Sequence, residues 1–185
     1  MGDINQFFLK ADNYLMENNF EWEIDFVRNI KPLEEQEDWY FYYQYVWVVL
    51  NAGMKEQIAH KICDRFFEEK RFEVIGHLGK REAIRTAALN YKEWLKKIKE
   101  LKTTTGRINY LETLPWIGPI TKFHLARNIG IDTVKPDRHM IRLAERYNFS
   151  NPLEMCRALS EVFKEKVGVI DVILWRYCNL TGNYE

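Results

Sequence analysis

Apolar side chains return at three- and four-residue intervals along nearly the whole chain, and nowhere do they alternate long enough to make a strand. That rhythm confines the chain to helices packed on helices, an all-α fold. Helices are expected over residues 3–16, 35–50, 55–67, 80–101, 106–113, 119–128, 137–147, 151–166 and 169–179. Asp3, Asp137 and Asn151 suit N-cap positions, and Pro119 and Pro152 suit the first turn of a helix. With 185 residues, 46% of them apolar, the chain has the material for one core or two small ones. It contains no linker-like stretch, no internal repeat and nothing approaching the ~20 apolar residues of a membrane span.

Charge is balanced overall, 27 basic against 27 acidic residues, yet unevenly spread. Residues 1–50 carry a net −7, residues 51–146 a net +8 and residues 147–185 a net −1. A basic middle segment suits phosphate contacts, which depend on local charge. Mutual attraction between the two halves would use the same residues. Cys63, Cys156 and Cys178 show no metal-ligand spacing and make no even disulfide set, which fits a reduced, cytoplasmic protein. The opening MGDINQFFLKADNYL lacks the basic-then-apolar order of a secretory signal.

Residues 111–127 hold the strongest local signal. Pro115 forces a turn, Gly118 supplies a permissive backbone, and Pro119 opens the next helix. Such a hairpin presents N–H groups at a helix N-terminus, where the dipole favours an anion. By shape alone it is equally an ordinary helix–helix connection. Lys122, in the first turn, is unfavourable for the dipole and useful beside a phosphate. Downstream, Lys135-Pro136 reads as extended, and Asp137 opens a helix with Arg138, His139 and Arg142 behind it. Taken alone, Asp137 is an N-cap worth about 1 kcal/mol.

Together the two segments resemble the helix-hairpin-helix superfamily of DNA glycosylases. The matching pattern is Leu114-Pro115-x-Ile117-Gly118-x-x-Thr121, followed by Val134-x-Pro136-Asp137-x-His139-x-x-Arg142. The stretch from Trp47 to Lys61 is more loosely similar to an early helix–loop–helix of that superfamily. The resemblance implies a two-lobed helical protein with the active site in a cleft between lobes. Residues 50–146 would form the lobe with the hairpin, and residues 1–49 with 147–185 the other.

It also implies an enzyme that flips a nucleotide out of double-stranded DNA and hydrolyses its N-glycosidic bond. Asp137 matches the catalytic aspartate, which stabilises the oxocarbenium-like sugar and orients or deprotonates a water; a helix N-terminus favours its ionised form. Members that also cut the strand carry a lysine two residues after the second hairpin glycine. That position is Ile120 here, and Lys122 lies two residues further on, roughly 200° around the helix. The resemblance therefore implies a monofunctional enzyme that leaves an abasic site. Trp116, Ile117, Gly118, Ile120, Thr121 and Lys122 are the implied DNA contacts. The backbone carbonyls of Glu112, Leu114 and Ile117 are the implied ligands of a Na+ or K+ ion. The four-cysteine tail of the iron–sulfur branches is absent, so no iron–sulfur cluster is expected. Trp116 stands in the place of the first hairpin glycine. Gly53 stands where many members have a glutamine, which passes the wedge role to Asn51 or Met54.

The aromatic run from Trp39 to Trp47 is the candidate base pocket. Trp39, Tyr43 and Trp47 are suited to stack on a flipped base at ~1–3 kcal/mol each; as plain packing, the same rings bridge the lobes. His60, His77, His124 and His139 are dispersed and suggest no zinc site. His139, beside Asp137, serves as a pocket residue or as a structural hydrogen-bond partner. Asp171 or Arg176 of the last helix can reach the cleft. Three functions stay open: a monomeric glycosylase acting on a repair lesion or on a modified base of foreign, phage DNA; a DNA-binding module in which Asp137 is only a cap; and an enzyme that alters modified bases without glycosidic cleavage.

Overall fold

The structure, a computed structural model, describes residues 3–185. Among these residues there are ten α-helices and no strand. They are α1 (Ile4–Glu17), α2 (Glu21–Arg28), α3 (Asp38–Asn51), α4 (Glu56–Glu69), α5 (Leu78–Glu100), α6 (Thr104–Glu112), α7 (Thr121–Asn128), α8 (Arg138–Arg146), α9 (Pro152–Phe163) and α10 (Val167–Thr181). Single 3-10 turns stand at Leu33–Glu35 and Phe72–Val74. No helix among the described residues is long and apolar enough to cross a membrane.

The expected caps are in place. Asp3 accepts from the Asn5 N–H, Asp137 from those of His139 and Met140, and Asn151 from that of Glu154. Three departures have local causes. Helix α2 is unannounced in the sequence, because its eight residues bury only Ile24 and Val27. The helix expected from residue 35 starts at Asp38, after the 3-10 turn at Leu33–Glu35. The helix expected from Pro119 starts at Thr121, with Ile120 in the N-cap position.

The chain packs as two compact units, Met1–Ile30 with Asp132–Glu185, and Lys31–Ile131. The breaks fall after residues 30 and 131, where the sequence reading placed them after residues 49 and 146. Core membership explains the difference. Phe41, Tyr45, Val46 and Val49 of α3 are core residues of the second unit, and Met140, Leu143 and Ala144 of α8 are core residues of the first. Counted by unit, the charge contrast shrinks to 17 basic against 13 acidic residues in the second unit and 10 against 14 in the first. The acidic stretch at residues 34–38 belongs to the basic unit. There Glu34 pairs with Arg107 at 2.8 Å, and Lys99 donates to the Gln36 carbonyl at 2.7 Å. Part of the asymmetry is therefore neutralised within one unit.

In the first unit α10 is the central helix, buried on most of its surface among Phe7, Phe8, Leu15, Ile24, Met140 and Leu159. Its Arg176 donates to both carboxylate oxygens of Glu23 and lies over the rings of Trp175 and Phe20. In the second unit α3 takes that role, apolar nearly all round as a core helix must be. Its polar interior groups are paired: Gln44 accepts from Asn128 at 2.9 Å, and the Tyr45 hydroxyl donates to the Pro115 carbonyl at 2.5 Å.

Candidate functional site

The hairpin between α6 and α7 is built by short bonds. The Ile117 N–H closes on the Leu114 carbonyl at 3.1 Å, and the Gly118 N–H donates to Thr121 Oγ1 at 2.7 Å. The Lys122 N–H reaches back to the Gly118 carbonyl at 3.0 Å. Among the described residues, no backbone carbonyl takes the Ile120 or Thr121 N–H, so these amides remain available to an anion. The permissive backbone position is not Gly118, as the sequence suggested. The left-handed turn falls on Trp116, φ +63°. A non-glycine residue there costs about 1–2 kcal/mol, and the ring is held in compensation. It meets His77 edge-on at 4.9 Å, and Gly79, in the first turn of α5, leaves the space its six-membered ring fills. Trp116 remains 43% exposed.

Lys122 is placed differently from the expectation that it contacts phosphate or solvent. Its ammonium pairs with Glu112 at 2.5 Å across the hairpin, and its side chain is only 13% exposed. Ile120, where the resemblance would put a strand-cutting lysine, presents a 40% exposed aliphatic side chain. The implied cation ligands on Glu112, Leu114 and Ile117 are main-chain oxygens within this one turn. The Leu114 oxygen accepts the Ile117 N–H and keeps a second lone pair. The donor set is therefore compatible with a monovalent ion.

In the first unit, Asp137 stands at the N-terminus of α8. Its Oδ1 accepts from the His139 N–H at 3.0 Å and the Met140 N–H at 3.3 Å. Its Oδ2 lies 3.9 Å from Lys135 Nζ, and this ammonium is 5.7 Å from the centre of the Trp175 ring. One oxygen is thus engaged by the helix and the other faces a cation. The extended Lys135-Pro136 segment is fixed from below, because the Lys135 N–H donates to Asp171 Oδ2 at 3.2 Å. Asp171 is buried, and Arg176 is committed to Glu23. The His139 ring nitrogen Nδ1 is 2.6 Å from the Tyr184 hydroxyl. Burial pushes the His139 pKa below the usual histidine value; Asp137 opposes this, and Arg138, Arg142 and Lys135 add to it.

The aromatic run of α3 divides by helical face. Phe41 and Tyr45 are fully buried. Tyr42 packs on Tyr91 and Phe67, Tyr43 on Phe67, and Trp47 stacks on His60 with centroids 4.1 Å apart. Trp39 is 60% exposed and donates to Glu37 at 2.6 Å. After α3, the Met54 N–H closes a turn on the Asn51 carbonyl at 3.1 Å, with Gly53 at φ +69°. This turn is held from α5 by Lys80, whose ammonium donates to the carbonyls of Leu50 at 2.8 Å and Ala52 at 2.7 Å. Sequence reasoning missed Lys80, which entered it only as the first residue of the helix expected over 80–101. It also missed Lys135, Trp175 and Tyr184. Only Lys135 carried a local signal, two positions before Asp137.

No protein-family model matches the chain, and no curated protein does. Solved structures do match. The 8-oxoguanine DNA glycosylase of Thermotoga maritima is 17% identical with a TM-score of 0.69, covering 99% of this chain and 100% of that one. The Methanocaldococcus jannaschii 8-oxoguanine glycosylase/lyase, in complex with a 15mer DNA containing 8-oxoguanine, is 18% identical with a TM-score of 0.69, covering 95% of this chain and 98% of that one. These likenesses establish the fold: the chain shares the helical fold of these two DNA glycosylases over 95–99% of its length.

Proposed function

We propose that the protein is a monofunctional DNA glycosylase with Asp137 as its catalytic carboxylate. The observation that carries this reading is the setting of Asp137. It is not spent on capping: Oδ1 holds the helix while Oδ2 faces away toward Lys135. The fold shared with DNA glycosylases supports the same reading. In the proposed reaction a nucleotide leaves the duplex. Its N-glycosidic bond breaks, and the base departs with the bonding electrons and takes up a proton. The carboxylate faces the positive charge left on the sugar. Water then adds at C1′ and releases a proton, giving an abasic site and an intact strand.

The hairpin supplies the grip on double-stranded DNA, through the Ile120 and Thr121 amides and the half-exposed Trp116. A Na+ or K+ ion held by the carbonyls of Glu112, Leu114 and Ile117 would add a positive charge for a phosphate. Asn51 and Met54 are the proposed wedge. Trp39, Tyr43 and Trp47 are the proposed base platform, with Trp39 the most open of the three. We place the substrate among oxidised or otherwise modified bases, in repair or in foreign DNA. 8-Oxoguanine is the first to test, since the solved chains that share the fold are named for it.

The test is base release from duplexes carrying single lesions, read as alkali-labile sites, for wild type and Asp137→Asn. Release by the wild type should fall by about 10²–10³-fold or more in the variant, while asparagine still caps α8 and preserves the fold. A variant as active as wild type would remove Asp137 from the reaction. A second reading, strand cutting through an amine nucleophile, is favoured by one distance, Lys135 Nζ to Asp137 at 3.9 Å. Borohydride trapping of a DNA adduct that Lys135→Gln abolishes would select it.

A further inference from the structure

Residues 182–185 fold back along α8 within the first unit. Gly182 turns the chain at φ +64°, and Thr181 Oγ1 accepts from the Asn183 N–H at 3.1 Å. Tyr184 then lies nearly parallel to the His139 ring, with planes 12° apart and centroids 6.1 Å apart. The Arg142 guanidinium covers the tyrosine at 4.9 Å from its ring centre. Next to it Glu185 pairs with Arg146 at 2.6 Å, and Lys10 donates to the Glu185 carbonyl at 3.0 Å. Several independent contacts therefore hold this short segment against the helix that carries Asp137.

The ring contact is polar as well as stacked. Arg138 Nε donates to His139 Nε2 at 3.4 Å, and on the other side of the ring Nδ1 is 2.6 Å from the Tyr184 hydroxyl. The backbone N–H of the same histidine is one of the two donors that hold Asp137 Oδ1. Tyr184 is thus two contacts away from the carboxylate, across a separation of 45 residues that no local pattern encodes.

We infer that Tyr184 is a positioning residue for Asp137: by binding Nδ1 of the His139 ring, it holds that ring in place, and with it the first turn of α8 and the carboxylate. This rests on the reading of Asp137 as the catalytic group. A phenylalanine would keep the stack and the guanidinium contact while leaving Nδ1 without its partner in a part-buried place. The hydroxyl alone therefore distinguishes positioning from packing.

The experiment compares wild type, Tyr184→Phe and Tyr184→Ala. It reads the His139 Nδ1 signal by nitrogen NMR, hydrogen exchange at the His139 and Met140 amides, DNA affinity, and single-turnover base release. Tyr184→Phe should shift the His139 Nδ1 signal and slow release by about tenfold, the worth of one neutral hydrogen bond, with DNA affinity unchanged. Tyr184→Ala should also speed exchange at the two amides. A Tyr184→Phe protein with the wild-type Nδ1 signal or with wild-type release overturns the inference. So does a loss of DNA affinity with the Nδ1 signal unchanged, which would make Tyr184 a direct DNA contact. If wild type releases no base, the glycosylase reading fails by itself, and the Nδ1 and exchange measurements still decide the link from Tyr184 to α8.

Discussion

At the residue scale, His139 concentrates several roles in one side chain. Its amide holds Asp137, its Nδ1 meets Tyr184, and its charge is suppressed by burial. The folded protein therefore binds fewer protons at this site than the unfolded chain between the lowered folded pKa and about 6.5. Its contribution to stability is complete above about pH 6.5 and is lost as pH falls through the folded value. Urea midpoints taken from about pH 8 down to about pH 5 should fall less steeply for His139→Gln than for wild type. Equal slopes would assign the acid loss to other groups. Asp137 and the hairpin were legible in the sequence because each is a short local pattern with its own backbone logic. Trp116 was legible as a departure from that pattern, but the outcome was not. The turn requires a left-handed backbone, and a tryptophan whose ring finds a notch at Gly79 supplies it.

At the element scale, two positions set how helices meet. Gly130 follows α7 at φ +86°, and a Cβ there would stand 2.1 Å from the Lys31 carbonyl oxygen and 2.9 Å from the Leu33 nitrogen. Those are backbone atoms that cannot rotate away. Gly130→Ala should destabilise the protein by about 3 kcal/mol or more, as strain and overlap add; a thermal melt matching wild type would refute this. Lys80 is 4% exposed and has its pKa pulled below the usual lysine value by burial. Lys80→Met should cost about 1–3 kcal/mol in denaturant unfolding, because the Leu50 and Ala52 carbonyls lose their buried donor. Most of the longer helices were legible from periodicity, with boundaries off by a few residues. Short α2 was not, since two buried side chains make no period. Lys80 was not either, because what buries it is the end of α3, brought from 28 to 30 residues away.

At the scale of the whole molecule, the all-α architecture followed from the apolar rhythm, whereas the unit boundaries implied by the resemblance, after residues 49 and 146, differ from those after residues 30 and 131. Glu34, Glu35, Glu37 and Asp38 pack in the basic unit together with α3, so the change of charge near residue 50 marks no boundary. The three cysteines are buried and unpaired, Cys63 and Cys178 pushed up to about 12 and Cys156 well above its ordinary value. A thiol reagent at neutral pH should modify none of them in the folded protein and all three in denaturant; rapid labelling of the folded protein would contradict that burial. The division of the chain also bears on its birth. Residues 31–131 form an uninterrupted unit, while the unit containing Asp137 draws α1 and α2 from the beginning and α8, α9 and α10 from the end. As the chain leaves the ribosome, α1 and α2 must wait for α10, the helix they pack against, through the synthesis of everything between. The hairpin unit has all its residues first, and the unit with Asp137 closes last, so a chain terminated before α10 would carry the hairpin without the completed frame around Asp137.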